Sequence, residues 1–180
     1  MAAIDEAKIL IIASDRFEES ELFGPREILL GRGATVVVAA PGRSAIVGTV
    51  RDIPGRSITP DATLDEVEAA GFDALLLPGG VSNPDHLRTN RRALALIAAF
   101  AAAGRPVAAI CHAPWLLVEA KLLRGKRATC WPSIRTDLAN AGALLSEEAV
   151  ERDGNLITAR GPDDVAAFTA ALIAAIEEAG

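Results

Sequence analysis

The chain has 180 residues, 51% hydrophobic and only 4% aromatic, with a formal net charge of -6. That length suits one well-cored domain, expected over residues 1–180, with Ala, Leu, Ile and Val building the core. The negative charge argues against nucleic-acid or anionic-membrane partners, and two cysteines exclude a disulfide framework.

The opening MAAIDEAKIL carries acids where a secretion signal needs a basic flank, which points to a cytoplasmic protein. Lys8 to Ala13 (KILIIA) is a short continuous apolar run, the pattern of a strand buried on both faces. A helix is expected from Ser20 to Leu30, ending at Gly31 and Gly33, followed by a second buried strand, Thr35 to Ala39. Ala45 to Thr59 alternates with Gly and Pro breaks and reads as short β ribbons. Asp73 to Leu77 is a third buried strand closed by Pro78-Gly79-Gly80, and the stretch holding Asp85 and His86 reads as a loop. Asn90 to Ala103 is a helix with Leu94, Ile97, Ala98 and Ala101 on one stripe. Its uncharged run, Ala93 to Ala103, is too short to span a bilayer. Pro106 to Ile110 is the next strand, followed by a helix from Ala113 to Leu123. A strand at Arg127 to Trp131, a helix at Ile134 to Ala141 and strands at Ala149 to Glu151 and Leu156 to Ala159 follow. The last helix, Asp163 to Glu178, aligns Val165, Phe168, Leu172 and Ile176.

Buried strands alternating with amphipathic helices predict a mostly parallel sheet covered on both faces. In such folds a ligand site lies beyond the carboxyl ends of the strands. The loops after Ala13, Leu77 and Ile110 therefore converge, bringing acidic residues, a Gly pair and Cys111-His112 to one edge. A lone cysteine is often a small buried hydrophobe. At a sharp strand-to-helix turn it gains a second reading, a nucleophile whose anion the helix N-terminus favours, so a lowered thiol pKa is expected. His112 reads either as a first-turn polar residue or as a base beside that nucleophile, and its N–H follows the nucleophile directly, where in a nucleophile elbow it helps bind an oxyanion. Gly79 and Gly80 read as a turn or as bare N–H groups that bind negative charge. Glu21 shares a stripe with Pro25, Ile28 and Leu29, so it faces the apolar side, where burial should keep it protonated. Glu18 falls one turn earlier on the same side, and Glu19 points elsewhere. Cys130, in RATCWP, is expected away from the elbow. No Cys/His spacing suggests a metal, and no phosphate-cradling loop precedes a helix, so neither metal nor cofactor is expected.

Together these segments resemble the ThiJ/PfpI superfamily, which includes PfpI-like peptidases and protein deglycases. The resemblance spans nearly the whole chain through DRFEESELFGPREIL, FDALLLPGG, RPVAAICHAPWLL, LRGKRATCWPSIRTDLANAG and DGNLITARGPDD. It implies a flavodoxin-like three-layer α/β/α sandwich with a nucleophile elbow, Cys111 as nucleophile and Glu21 hydrogen-bonded to it. It also implies an oxyanion turn at Gly79 and Gly80, and a homodimer or higher homo-oligomer. In the PfpI-like branch the adjacent histidine, here His112, joins a triad completed by an acid from a neighbouring subunit. The nearest matching position is Asp85, where family members commonly carry Glu. Ala113 stands in place of the Gly common after the Cys-His pair.

The leading expectation is a stress-response enzyme acting through Cys111 on a small reactive carbonyl, or on an early glycation adduct of a protein. The alternatives are an intracellular cysteine peptidase, a redox sensor or chaperone in which Cys111 oxidises without turnover, and, more remotely, an isocyanide hydratase.

Overall fold

The computed structural model describes residues 3–179. The first half contains strands β1 (Lys8–Ile12) and β2 (Phe17–Glu18), helix α1 (Glu19–Gly31), and strands β3 (Thr35–Ala40), β4 (Ile46–Val50), β5 (Ile53–Ile58), β6 (Ala62–Thr63) and β7 (Ala74–Leu77). The second half contains α2 (Ser82–Leu87), α3 (Arg91–Ala102), β8 (Val107–Ile110), α4 (Pro114–Glu119), β9 (Arg127–Ala128), α5 (Arg135–Asn140), β10 (Leu144–Leu145), β11 (Val150–Asp153), β12 (Leu156–Ala159) and α6 (Val165–Ala179).

Seven strands form the central sheet in the order β11-β12-β8-β7-β1-β3-β6. All neighbours are parallel except the β11–β12 pair. Side chains alternate across the central strands, so each continuous apolar run feeds two cores. Ile9 and Ile11 of β1 pack with Leu22 and Leu29 of α1 and Phe168 and Leu172 of α6. Leu10 and Ile12 face the other way, with Leu96 and Phe100 of α3 and Leu116 and Leu117 of α4. The result is the mostly parallel sheet covered on both faces that the alternation of elements predicts, in the flavodoxin-like three-layer α/β/α sandwich that the family resemblance implies. From β1 the chain first builds outward to β3 and β6, then returns to place β7 on the other side of β1. The crevice beyond β1 and β7 is thus the switch point of the sheet, where such folds bind ligands.

Four expectations need correction. Asp85 and His86 lie on helix α2 rather than in a loop. Glu18 is not helical: Phe17–Glu18 pairs with Gly48–Thr49 as a small strand, part of a second sheet in the order β2-β4-β5. Helix α4 stops at Glu119, because Lys121 takes a left-handed φ of 58°. The expected strand to Trp131 ends at Ala128, because the next backbone donors leave the ladder. The Thr129 N–H donates to Thr158 Oγ1, and the Trp131 N–H donates to the Cys111 carbonyl. That departure carries Trp131 to the edge of the sheet where Cys111 lies.

Candidate functional site

Cys111 follows β8 with a φ of 64°, a left-handed conformation rare for a residue with a Cβ. The cost is of order 1–2 kcal/mol, and the surroundings hold the residue there. Its N–H donates to the Ala159 carbonyl at 3.0 Å, and its carbonyl accepts the Trp131 N–H at 2.9 Å. The sulfur lies 3.2 Å from His112 Nδ1, and the N–H groups of Gly80 and His112 bond it in the sense that favours the anion.

The Pro78-Gly79-Gly80 turn packs directly on the elbow. A Cβ at residue 79 would lie 2.7 Å from Cys111 Cβ and 2.5 Å from Glu21 Oε2, so only glycine fits. Gly80, at a φ of 79°, would bring a Cβ to 2.5 Å from the Arg16 carbonyl oxygen. The Gly79 N–H donates to Glu21 Oε2 at 2.8 Å. It is therefore engaged by the carboxyl, which leaves the N–H groups of Gly80 and His112 as those facing the sulfur.

Asn83 holds this turn, a role that no local pattern announces. It is fully buried; its Oδ1 accepts the Ser14 N–H at 2.7 Å, and its Nδ2 donates to the carbonyls of Pro78 at 2.8 Å and Gly79 at 3.1 Å. It thereby ties the loop after β1 to the turn after β7. Asn83→Ala would take the partner from the buried Ser14 N–H and from the Pro78 carbonyl, while the Gly79 carbonyl keeps the Glu18 N–H at 3.3 Å. The expected destabilisation is about 3 kcal/mol in chemical denaturation, with activity falling because the elbow loses its backing. A loss below about 1 kcal/mol would show that the two loops hold themselves.

Glu21 has no exposed surface, and among the described residues its Oε1 has no hydrogen-bond partner. Burial pushes its pKa up to about 8, against the pull of the Gly79 N–H. At neutral pH it is protonated, as its stripe position predicts. Cys111 does not match its expectation. Burial pushes the thiol upward, and negative charge on Glu21 would push it further; the Gly80 and His112 N–H groups oppose without prevailing. The sequence shows a helix N-terminus, but the helix has only six residues and the sulfur lies beneath the surface. His112 is held below its ordinary value by burial, against the pull of the Asp52 charge. The resting site is therefore a neutral thiol, a neutral imidazole and a protonated carboxyl.

A cleft of about 780 Å³ opens over Cys111 and His112. One wall is the β4–β5 hairpin, whose turn residues Arg51 and Asp52 have φ of 50° and 70°. This double left-handed turn matches the twist of a two-residue hairpin. Glu18 and Glu19 both line the cleft and brace that hairpin: Glu18 accepts the Arg51 N–H at 3.4 Å and Glu19 accepts the Arg56 N–H at 2.6 Å. Trp131 forms part of another wall, its ring against Gly161 and stacked on His112 with centroids 6.0 Å apart. Ser133 Oγ lies 3.3 Å from His112 Nε2.

Of the residues expected at the site, Cys111, His112, Glu21, Gly79 and Gly80 come together. Asp85 does not join them: it is exposed on α2 and is not among the residues lining the cleft. Cys130 adjoins the Trp131 clamp in sequence but its side chain packs in the core on the opposite face of the sheet, and burial raises its pKa to about 11. Among the described residues, no group of three or more His, Cys, Asp or Glu could hold a metal ion. No helix there is long and apolar enough to cross a membrane.

A parallel α/β sandwich with a strand-end cysteine on a left-handed elbow, backed by a buried carboxyl, defines the class of protein. The chain belongs to the DJ-1/PfpI family, which it matches over residues 7–175. It is 40% identical over 175 residues to General stress protein 18 of Bacillus subtilis, covering 95% of this chain and 98% of the relative. Over 163 residues it is 40% identical to Protein/nucleic acid deglycase 2 of Escherichia coli, covering 89% and 92%. The crystal structure of Drosophila melanogaster DJ-1beta superposes with a TM-score of 0.84 at 30% identity, covering 96% of this chain and 94% of that one.

Proposed function

We propose that this protein is a stress-response enzyme that acts through Cys111 on reactive carbonyls or on the early adducts they form with proteins. The observation that carries this reading is the sulfur of a strained, pinned cysteine 3.2 Å from a neutral imidazole at the base of an open cleft. Relatives named as a stress protein and as a deglycase support it.

Because the resting thiol is protonated, His112 acts first as a base. Nδ1 takes the S–H proton as sulfur bonds to the aldehyde carbon of an α-ketoaldehyde and hands it to the carbonyl oxygen, giving a hemithioacetal and a neutral imidazole. The N–H groups of Gly80 and His112 lie at the sulfur, within reach of an oxygen that becomes negative beside it. Proton transfer between the two carbons, through His112 or Glu21, turns the hemithioacetal into a 2-hydroxy thioester. Water then releases the hydroxy acid and returns the thiol. The sequence is redox-neutral and needs no cofactor. On an early adduct, a hemiaminal, the same sulfur bonds to the carbon that carries the amine, the C–N bond breaks, the amine leaves with the proton that His112 took from the thiol, and the same hemithioacetal results.

The test is a screen of the purified protein against methylglyoxal, methylglyoxal-treated peptides and casein, with Cys111→Ser as blank. Turnover of casein alone would replace this reading with the peptidase one. That alternative carries its own expectation, since the acid at Asp85 would have to serve a neighbouring subunit. Mixed oligomers of Asp85→Ala and Cys111→Ser chains should then recover activity that neither chain has alone. No recovery, with mixing confirmed by tagged copurification, is the result expected if each chain works by itself.

A further inference from the structure

His112 has two ring nitrogens, and the structure gives each a different partner. Nδ1 lies 3.2 Å from Cys111 Sγ and Nε2 lies 3.3 Å from Ser133 Oγ. The ring has little freedom to turn. Trp131 stacks on it at 28° between planes, and Trp115 meets it edge-on with centroids 5.4 Å apart. Trp115 is held in turn by its indole N–H, which donates to Asp137 at 2.8 Å. Ser133 is fixed to the same frame from both sides. It sits in the single turn Pro132–Ile134, with the Trp131 N–H bonded to the Cys111 carbonyl before it and the buried Ile134 after it.

A neutral imidazole carries one N–H, and which nitrogen bears it is set by the partners. A base for the thiol needs Nδ1 bare, so the proton must sit on Nε2. A carboxylate on Nε2 would enforce that, but within one chain Asp85 is exposed and outside the cleft. Among the described residues, Ser133 is the side chain within hydrogen-bond distance of Nε2. Its oxygen accepts from the neutral ring and equally from the imidazolium that forms when Nδ1 takes the thiol proton, while its own hydroxyl proton is free to point to solvent.

We infer that Ser133 is a positioning residue whose hydroxyl accepts the Nε2–H of His112, fixing the tautomer that leaves Nδ1 free to receive the proton of Cys111. The site thus orients its base with a neutral group from its own chain. This deepens the proposed function and rests on it for the kinetic part only, since the tautomer belongs to the resting protein.

The chain has two histidines, His86 and His112, and His86 is exposed on α2. In a His86→Gln background only the His112 ring reports in long-range 1H–15N correlation spectra at neutral pH. The expected spectrum shows the Nε2–H tautomer alone. Ser133→Ala should populate the Nδ1–H form, and Ser133→Thr, which keeps the hydroxyl at an exposed position, should restore the first pattern. With methylglyoxal as substrate, Ser133→Ala should lower kcat about tenfold at unchanged KM, the size of one lost hydrogen bond, and Thr should rescue it. A Ser133→Ala spectrum that keeps the Nε2–H tautomer alone overturns the inference, whatever happens to the rate. If the tautomer shifts as expected while the wild-type protein turns over no carbonyl substrate, the positioning role stands and the proposed function falls.

Discussion

Cys111→Ser should lower kcat/KM for the proposed carbonyl consumption by at least about 10³-fold, the scale of losing a nucleophile from a group that acts as a unit. The hydroxyl is far less acidic than a thiol, and the neutral His112 beside it is too weak a base to make up the difference. The fold should survive. Serine adopts the same φ, its hydroxyl can accept from the Gly80 and His112 N–H groups, and the backbone clamps to Ala159 and Trp131 do not involve the side chain. The thermal midpoint should therefore stay within a few degrees of wild type, equivalent to about 1 kcal/mol in a chain of this size. Cys130→Ser is the companion measurement and should retain full turnover, because that thiol faces the core on the far side of the sheet. Activity that survives Cys111→Ser, with the protein folded, would remove the sulfur from the chemistry and the proposed mechanism with it.

The parts of the site that were legible in the sequence are those that local pattern alone decides. An apolar run ending at Cys111-His112 can only be a buried strand meeting a turn, and parallel topology then sends it to the same edge as Pro78-Gly79-Gly80. Glu21 was legible because helical spacing puts it on the stripe of Leu29, and a carboxyl on a buried stripe must lose its charge or find a cation. What stayed hidden depends on depth and on distant partners. The position of Cys111 after a strand suggests an activated thiolate, yet how far the sulfur lies beneath the surface decides the direction, and no residue pattern encodes that depth. Asn83, Trp131 and Ser133 reach the site through hydrogen bonds to segments well separated from them in sequence: the Trp131 N–H to the Cys111 carbonyl, the Asn83 side chain to the Ser14 N–H, and the Ser133 hydroxyl to the His112 ring. The β4–β5 hairpin was readable as a ribbon, but its place over the cleft follows from the two-residue pairing of Phe17–Glu18 with β4. Such a pair is too short to announce itself.

Glu21→Gln should make the protein more stable than wild type at alkaline pH, by several kcal/mol, while the two remain within about 1 kcal/mol of each other in acid. The sign follows from where the proton sits. In the unfolded chain the Glu21 carboxyl titrates at its ordinary 4.5, and in the folded chain burial raises it to about 8. Below 4.5 both states hold the proton and the group adds no pH dependence. Between those values the unfolded state has lost the proton and the folded state keeps it, so wild-type stability falls steadily as pH rises. Above about 8 the folded protein must carry a charge with no surface exposure and no hydrogen bond to Oε1, and the loss is complete. Glutamine is the neutral isostere. Its carbonyl oxygen can accept the Gly79 N–H as Oε2 does, and its amide can donate toward the sulfur, but it has no proton to lose. Glu18, which partial burial also raises, contributes a slope of the same sign and is present in both proteins, so the difference between them isolates residue 21. Cys111 adds a further loss only above the ordinary thiol value of 9.0, beyond most of this window, and a Cys111→Ser background removes it. The measurement is urea denaturation at closely spaced pH from about 4 to about 9, with both chains in that background. Stability curves that run parallel across the whole range would show Glu21 titrating in the folded state at its unfolded value, and so ionised at neutral pH. The buried carboxyl could then neither donate a hydrogen bond to Cys111 nor carry a proton between substrate carbons.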